Sequence, residues 1–167
     1  MQLNLLNLRN LVRFKTNYQN TTALANSTIV QQINIGYMKV IRAAVEADQD
    51  FFEEQKTKFN IVALSSLYSL PSDCIKVKQV RLAYTSPSSE SDYRIAISYD
   101  PSEAVNISND ETSVPVSNPQ VDITNNYLRI YPKPTTGVAN GGEIYYIARP
   151  SALTLTGDVP ILPDAVS

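Results

Sequence analysis

The sequence contains no histidine, no tryptophan and a single cysteine, Cys74, among its 167 residues. Histidine is the usual general base near neutral pH and the commonest metal ligand, so its absence excludes histidine-dependent triads and histidine-bound zinc. One cysteine cannot form an intramolecular disulfide or a cysteine-rich zinc site. Without a neighbouring base of the usual kind to activate its thiol, Cys74 is interpreted as a small buried apolar residue.

The sequence also lacks a large excess of basic or acidic residues, and it has no long apolar run. There are 14 Lys and Arg residues against 16 Asp and Glu residues, a formal net charge of -2. Proteins that bind DNA by neutralising phosphates cluster their basic residues, so direct DNA readout is disfavoured. No segment approaches the roughly 20 apolar residues of a membrane-spanning helix. Residues 1–14 lack the unbroken apolar stretch of a signal peptide, so we expect a soluble protein made inside the cell.

Motifs that would carry catalysis are not evident. Gly141 and Gly142 precede a predicted strand rather than a helix and have no adjacent lysine, unlike a phosphate-binding loop. The neighbouring acids Asp110 and Glu111 lie in a polar loop without the spacing of a calcium-binding EF-hand. We predict no enzyme activity and no catalytic, metal or cofactor site.

The first third of the chain has helical periodicity. In the opening segment an apolar stripe is formed by Leu5, Leu8, Leu11 and Val12. The cations Arg9, Arg13 and Lys15 are expected on a solvated face. Thr28, followed three residues later by Gln31, has the pattern of a capping box and predicts the start of a longer helix.

The longer helix is predicted to be one-sided. Its apolar residues recur at spacings of three and four: Val30, Ile33, Tyr37, Ile41 and Ala44. Gly36 should cost about 1 kcal/mol relative to alanine, and it either permits close helix contact or is merely tolerated. We expect the helix to fade through residues 53–58, with Glu54 and Lys58 forming a surface pair at the favourable helical spacing.

Beyond residue 58 the apolar residues recur at every second position instead of every third or fourth, which predicts strands. Residues 93–99 should form one strand that buries Tyr93, Ile95, Ile97 and Tyr99. Residues 127–131 and 143–148 form the best candidate hairpin, joined by the proline- and glycine-rich residues 132–142. Adjacent tyrosines 145 and 146 should point to opposite faces. Residues 102–119 read as a long surface loop.

These patterns predict an α+β fold, with N-terminal amphipathic helices followed by an antiparallel β-sheet or small β-sandwich with long loops. We divide the chain into a helical part (residues 1–57), a β-rich part (58–150) and an extended C-terminal segment (151–167). Together they should form one compact domain.

Short segments distributed along the whole chain carry a family resemblance. They are Ile33-Asn34-Ile35-Gly36-Tyr37, Tyr68-Ser69-Leu70-Pro71-Ser72-Asp73, Tyr127-Leu128-Arg129-Ile130-Tyr131-Pro132-Lys133-Pro134, Tyr145-Tyr146-Ile147-Ala148-Arg149-Pro150, and the trailing Leu153-Thr154, Asp158-Val159-Pro160 and Leu162-Pro163. In this order they resemble the head-to-tail connector (adaptor, neck) proteins of tailed bacteriophages.

The resemblance implies a non-enzymatic virion structural protein at the head-tail junction, assembled in the cytoplasm of the host bacterium. Such proteins form a homo-oligomeric ring, usually dodecameric, that binds the portal protein and the tail or other neck proteins. DNA passes through the channel of the ring during genome ejection, without sequence-specific binding, and no membrane is involved. A mildly acidic chain fits this role, because a strongly basic lining would retain phosphates.

Candidate contacts with a neighbouring subunit or partner come from these segments and from the apolar stripe of the longer helix, which adds Ile41. They are Tyr37, Ile41, Tyr68, Pro71, Asp73, Tyr131, Pro134 and Tyr146. We expect the helices to pack side by side around the ring, while the β-region and its loops at 102–119 and 132–142 contact portal or tail subunits. Relatives commonly continue beyond Leu162-Pro163 into a further helix. Either this connector lacks that helix, or the sequence is shorter than the natural protein.

Two alternatives stay open at the level of sequence. One is a β-sandwich binding module of a phage tail or cell surface that recognises carbohydrate or a receptor through its tyrosine- and asparagine-rich loops. The lack of tryptophan weakens its sugar-stacking version. The other is a different neck or tail-completion protein of the same virion.

Overall fold

The computed structural model describes residues 4–17, 24–47, 54–99 and 114–161. The chain divides into two compact units, one of Met1–Glu53 with Pro150–Ser167 and one of Glu54–Arg149. The elements are α1 (Leu5–Thr16), α2 (Asn26–Ala47), β1 (Glu54–Ile61), β2 (Leu67–Ser69), β3 (Cys74–Leu82), a 3-10 turn (Glu90–Asp92), β4 (Arg94–Ile95), β5 (Ile97–Ser98), β6 (Gln120–Thr124), β7 (Tyr127–Tyr131) and β8 (Val138–Ala148). Two helices followed by β-sheets confirm the predicted α+β class.

Helix α1 begins and ends with asparagine caps. The Asn4 side chain accepts a hydrogen bond from the Asn7 amide at 2.9 Å, and Asn17 ends the helix at φ 58. The predicted solvated position of Arg13 is wrong. Only 8% of this residue is exposed, because its guanidinium donates at 2.8 Å to both the Leu24 carbonyl and the Asn26 side chain. Arg13 therefore ties the end of α1 to the start of α2.

The buried face of α2 is formed by Ile29, Tyr37, Ile41 and Val45, which confirms burial of the two predicted central positions. The helix begins at Asn26, so Thr28 lies inside its first turn and the predicted capping box is wrong. The predicted helical pair of Glu54 with Lys58 is also wrong. Both residues belong to β1, where pairing with β8 overrides the local helical spacing.

The β-strands form two four-stranded sheets. Their orders are β1-β8-β3-β4 and β2-β7-β6-β5, and neighbouring strands in these described sheets are antiparallel except for β5 with β6, which are parallel. One apolar core draws residues from both sheets: Ile61, Val80, Leu82, Val121, Leu128, Ile130, Val138, Ile144 and Tyr146. The two sheets thus share their inner faces, which is the small β-sandwich alternative of the prediction.

The predicted hairpin between residues 127–131 and 143–148 is wrong. β7 pairs with β2 and β6, whereas β8 pairs with β1 and β3, so residues 132–137 carry the chain from one sheet to the other. The observed hairpin is β6–β7, whose two-residue loop, Asn125-Asn126, has φ angles of 50° and 70°. Asparagine tolerates this left-handed geometry, which a two-residue hairpin loop requires.

The single strand predicted over residues 93–99 is divided into β4 and β5, which belong to different sheets. Tyr93 is buried as expected, but Ile95 and Ile97 are exposed. Between them Ala96 packs against the core, and its amide donates to the Val80 carbonyl at 2.9 Å. The chain changes sheets here, so the regular alternation of the sequence does not extend across the segment.

Glycine at position 142 is required by a close contact between β8 and β1. A Cβ atom there would overlap the Phe59 side chain, which lies opposite Gly142. Gly142→Ala should therefore lower the free energy of unfolding by about 1–3 kcal/mol, as overpacking does. Gly36→Ala is the matched control. Its Cβ would meet nothing within 4 Å, and a gain of about 1 kcal/mol is expected. Chemical denaturation of both variants measures the difference, and equal effects would contradict the packing.

Candidate assembly interface

Two predicted contact residues, Tyr37 and Ile41, are buried within their own unit. The Tyr37 hydroxyl accepts a hydrogen bond from the Ile161 amide at 2.9 Å. One turn earlier on α2, the Asn34 side chain donates to the Leu153 carbonyl at 2.9 Å and accepts from the Leu153 amide at 2.8 Å. We call residues 150–161 the strap, because α2 holds this extended segment through its backbone.

The strap also covers the start of α1. The Leu5 and Leu6 amides donate to the carbonyls of Asp158 at 2.8 Å and Thr156 at 3.1 Å. The first amides of a helix have no partner within the helix, so the strap satisfies two of them. Backbone hydrogen bonds from Thr154 and Leu155 lower the pKa of the Asp158 carboxyl. The strap is therefore an ordered segment that connects the C-terminal part of the chain to the start of α1.

Several apolar side chains of the two helices are exposed. On α1 the side chains of Leu6, Leu11 and Phe14 are exposed, although Leu11 was predicted to belong to the buried stripe. On α2 a second exposed strip contains Gly36, Val40, Ala43 and Ala47, at helical spacings of four, three and four. We call this the α2 strip. Small side chains let another helix approach closely, and large exposed apolar patches typically mark interaction surfaces.

Pro71, Asp73 and Tyr146 form one structural group at the end of the sandwich. The Cys74 amide donates to the Pro71 carbonyl at 3.0 Å, and the Tyr146 hydroxyl donates to the Asp73 carboxylate at 3.2 Å. Burial, and then the Asp73 charge, raise the pKa of Tyr146. Tyr146 lies in the core, whereas Tyr145 is on the opposite face, as predicted. Cys74 is only half-buried, and burial followed by Asp73 raises its thiol pKa.

Tyr68 and Pro134 support the loop between β1 and β2, and Tyr131 packs elsewhere in the same unit. The Tyr68 hydroxyl accepts from the Val62 amide at 3.1 Å and donates to the Ser65 carbonyl at 2.8 Å. The buried Pro134 presents its carbonyl to the Leu64 amide at 2.8 Å. Tyr131 is buried and stacks on Tyr99, with 4.5 Å between ring centroids. Tyr68 and Pro134 therefore shape this surface loop, whereas Tyr131 is part of the packing inside the unit.

A charged cluster that the sequence reasoning missed lies on the outer face of the first sheet. The fully buried Glu143 carboxylate is 2.9 Å from the Lys56 ammonium, 3.2 Å from that of Lys58 and 3.2 Å from the Arg81 guanidinium. Glu90 lies 3.0 Å from Lys56 and 2.9 Å from Arg81. The period-two spacing of Lys56 and Lys58 was the available signal, because alternate residues share a strand face.

The electrostatics of this cluster favour the charged forms. Burial alone would raise the pKa of Glu143, but the neighbouring ammonium groups of Lys56 and Lys58 outweigh it and hold the pKa below its ordinary value of 4.5. A hydrogen bond from Lys56 likewise lowers the pKa of Glu90. The cluster joins β1, β3 and β8 and the 3-10 turn through paired charges, so its geometry stabilises the sheet.

A family model described as SU10 adaptor protein matches residues 3–166. The chain belongs to the SU10 adaptor protein family. This match covers nearly all of the 167 residues and confirms the resemblance to phage head-to-tail adaptors. No curated protein gives a significant match.

Membership in the adaptor family suggests a use for the exposed apolar side chains of the helices, namely contacts with other proteins. The family consists of structural phage proteins that act in the virion and are not known as enzymes, and it implies oligomerisation and contacts with other head or tail proteins. Within the residues that the structure describes, no three His, Cys, Asp or Glu side chains are grouped as a metal ion would require. No described helix is long and apolar enough to cross a membrane.

Proposed function

We propose that this adaptor forms a closed ring, dodecameric in its assembled state, that joins the portal to the tail and continues the DNA channel. The family match over residues 3–166 is the observation that carries the proposal. The ring would assemble in the host cytoplasm and remain at the head-tail junction of the virion. Its contribution is mechanical: it connects the portal to the tail and keeps an open path for DNA.

The helical surfaces support a ring with a heterologous interface. A ring above two-fold symmetry needs two different, complementary patches on each subunit. The apolar residues Leu11 and Phe14 on α1 and the α2 strip provide two such patches. In our proposal, α1 of one subunit packs on the α2 strip of the next. Gly36 then permits the close helix contact that the sequence left open.

The charges support a channel that lets DNA slide. The net charge is -2, and three cations of the outer sheet face, Lys56, Lys58 and Arg81, are paired with Glu90 and Glu143. Paired cations release few counterions on meeting phosphate, so DNA affinity should be weak and unspecific. The half-exposed turn at Pro71 and Asp73 is our candidate contact with portal or tail subunits, together with residues 102–119, of which 102–113 lie outside the described residues, and residues 132–142, which comprise the β7–β8 connection and the start of β8.

Val40→Asp tests the helix-to-helix contact of the ring. Val40 is 50% exposed, so the charge should leave the isolated chain folded but repel the neighbouring apolar surface. We expect the variant to lose the ring in native mass spectra while retaining its melting temperature. Gln31→Asp is the control, because exposed Gln31 lies about 2.5 helical turns away, on the other side of α2. Rings formed equally well by Val40→Asp would contradict this contact.

A further inference from the structure

Helix α1 has few apolar contacts along its length that would hold it in place. It contains 12 residues, and isolated helices of this length are only marginally stable in water. Leu5 is its only buried apolar side chain. Leu6, Leu11 and Phe14 are exposed. Apolar burial therefore contributes little to the order of α1, which depends largely on the polar contacts at its two ends.

The strap supplies partners for the first amides of α1. The Leu5 amide donates to the Asp158 carbonyl, and the Leu6 amide donates to the Thr156 carbonyl. The Asn4 side chain accepts from a third amide at the same end. These amides have no partner within the helix, and the partial positive charge of a helix N-terminus also favours carbonyl oxygens there. Two of these three contacts at the start of α1 therefore come from the strap.

A closed turn of the strap presents these two carbonyls to α1. The Asp158 carboxylate accepts from the amides of Thr154 at 2.6 Å and Leu155 at 2.7 Å. The Asp158 amide donates back to the Leu155 carbonyl at 3.0 Å. The carbonyls of Thr156 and Asp158 lie within this turn, so hydrogen bonds inside the strap set their direction.

Helix α2 holds the strap on both sides of the turn. Before the turn, the Asn34 side chain pairs with both backbone groups of Leu153, at 2.9 Å and 2.8 Å. After the turn, the Tyr37 hydroxyl accepts from the Ile161 amide at 2.9 Å. An amide side chain carries both a donor and an acceptor, so alanine at position 34 would lose both bonds to Leu153. The strap thus links the inner face of α2 to the first residues of α1.

We propose that the strap and α1 become ordered in one cooperative step, so that attachment of the strap to α2 determines whether α1 presents Leu11 and Phe14 to the next subunit. Release of the strap would remove two partners from the start of α1 and leave a short helix with one buried apolar side chain. Segments that share their stabilising contacts in this way open together. The ordering of α1 is a property of the single chain, whereas its effect on subunit contacts rests on the proposed ring.

Asn34→Ala tests the coupling in the isolated chain. The change removes both bonds to Leu153 and places a good helix former in α2. Hydrogen exchange should accelerate roughly tenfold in α1 as well as in the strap, because the lost bonds stabilise both segments. Gln32→Ala, at an exposed position of the same helix, is the matched control and should exchange like the wild type. A strap that exchanges faster while α1 stays protected, or equal acceleration throughout α2, would overturn the proposal.

Arg13→Ala tests the coupling from the other end of α1. Arg13 lies in the last turn of the helix, where it bonds the Leu24 carbonyl and the Asn26 side chain. Energetic coupling is reciprocal, so loosening α1 at this end should also accelerate exchange of the strap amides at Leu153 and Ile161. Wild-type exchange at these two amides would contradict the cooperative step.

Ring formation separates this coupling from the proposed function. In native mass spectra, Asn34→Ala should form fewer rings than Gln32→Ala at the same protein concentration. Normal rings from a chain whose α1 exchanges rapidly would refute control of assembly by the strap. If the wild-type protein forms no rings, the proposed function fails and the effect on assembly fails with it, and the exchange rates still decide whether the strap and α1 are coupled.

Discussion

Ile41→Asp should unfold the helical unit and abolish assembly with it. Ile41 is fully buried on α2, between Tyr37 and Val45 on the same helix face. A carboxylate at this position would lack a partner, and an unpaired buried charge is among the few single changes that cost more than about 4 kcal/mol. The loss should appear as reduced helical circular dichroism and a lower melting temperature of the isolated chain.

The comparison with Val40→Asp makes this prediction specific. The two positions are adjacent, but only Ile41 faces the interior. Ile41→Asp should therefore lose both folding and assembly, whereas Val40→Asp should lose assembly alone. A well-folded Ile41→Asp chain would show that α2 packs by another face than the one described.

Glu143→Gln should destabilise the β-sandwich by about 3 kcal/mol, the low end of the range for breaking a buried ion pair. The substitution keeps the shape of the side chain but removes the charge shared by Lys56, Lys58 and Arg81. The low end is expected because both lysine side chains remain partly exposed and can turn to water. Urea denaturation gives the magnitude. Glu90→Gln, at the exposed edge of the same cluster, should have a much smaller effect.

The pH dependence provides a second measurement of the same cluster. The folded-state pKa of Glu143 is depressed below 4.5, so its stabilisation is present above pH 4.5 and is lost as the pH falls through the folded value. Wild-type protein should therefore lose stability below pH 4.5 more steeply than Glu143→Gln. Parallel stability curves for the two proteins would contradict the assigned ion pairs.

The helices and the fold class could be predicted because their signals are local. The spacing of Tyr37 and Ile41 is sufficient to identify the inner face of α2, and the change of period near residue 58 indicates strands. Strand partners depend on distant residues, so the assignment of β7 and β8 to one hairpin was wrong. The Asn125-Asn126 turn was a usable hairpin signal that the more conspicuous prolines and glycines obscured.

Candidate contacts were harder to predict than the fold. Aromatic residues suit both a core and an interface, and the sequence does not distinguish these uses. In the structure Tyr37, Tyr131 and Tyr146 are buried within the chain. The exposed apolar surface instead includes Phe14, Val40 and Leu64, whose exposure depends on how each element is rotated or bent in three dimensions. The sequence also placed Arg13 on the surface, because its partners Leu24 and Asn26 come close to it only in the folded structure.

The proposed ring at the portal is tested most directly by native mass spectrometry. The protein is measured alone and after mixing with portal rings of the same phage, and the products are then imaged. We expect a discrete ring of adaptor subunits, bound coaxially to the portal and leaving the channel open. A well-folded protein that neither forms a ring nor binds the portal at any salt concentration would contradict it.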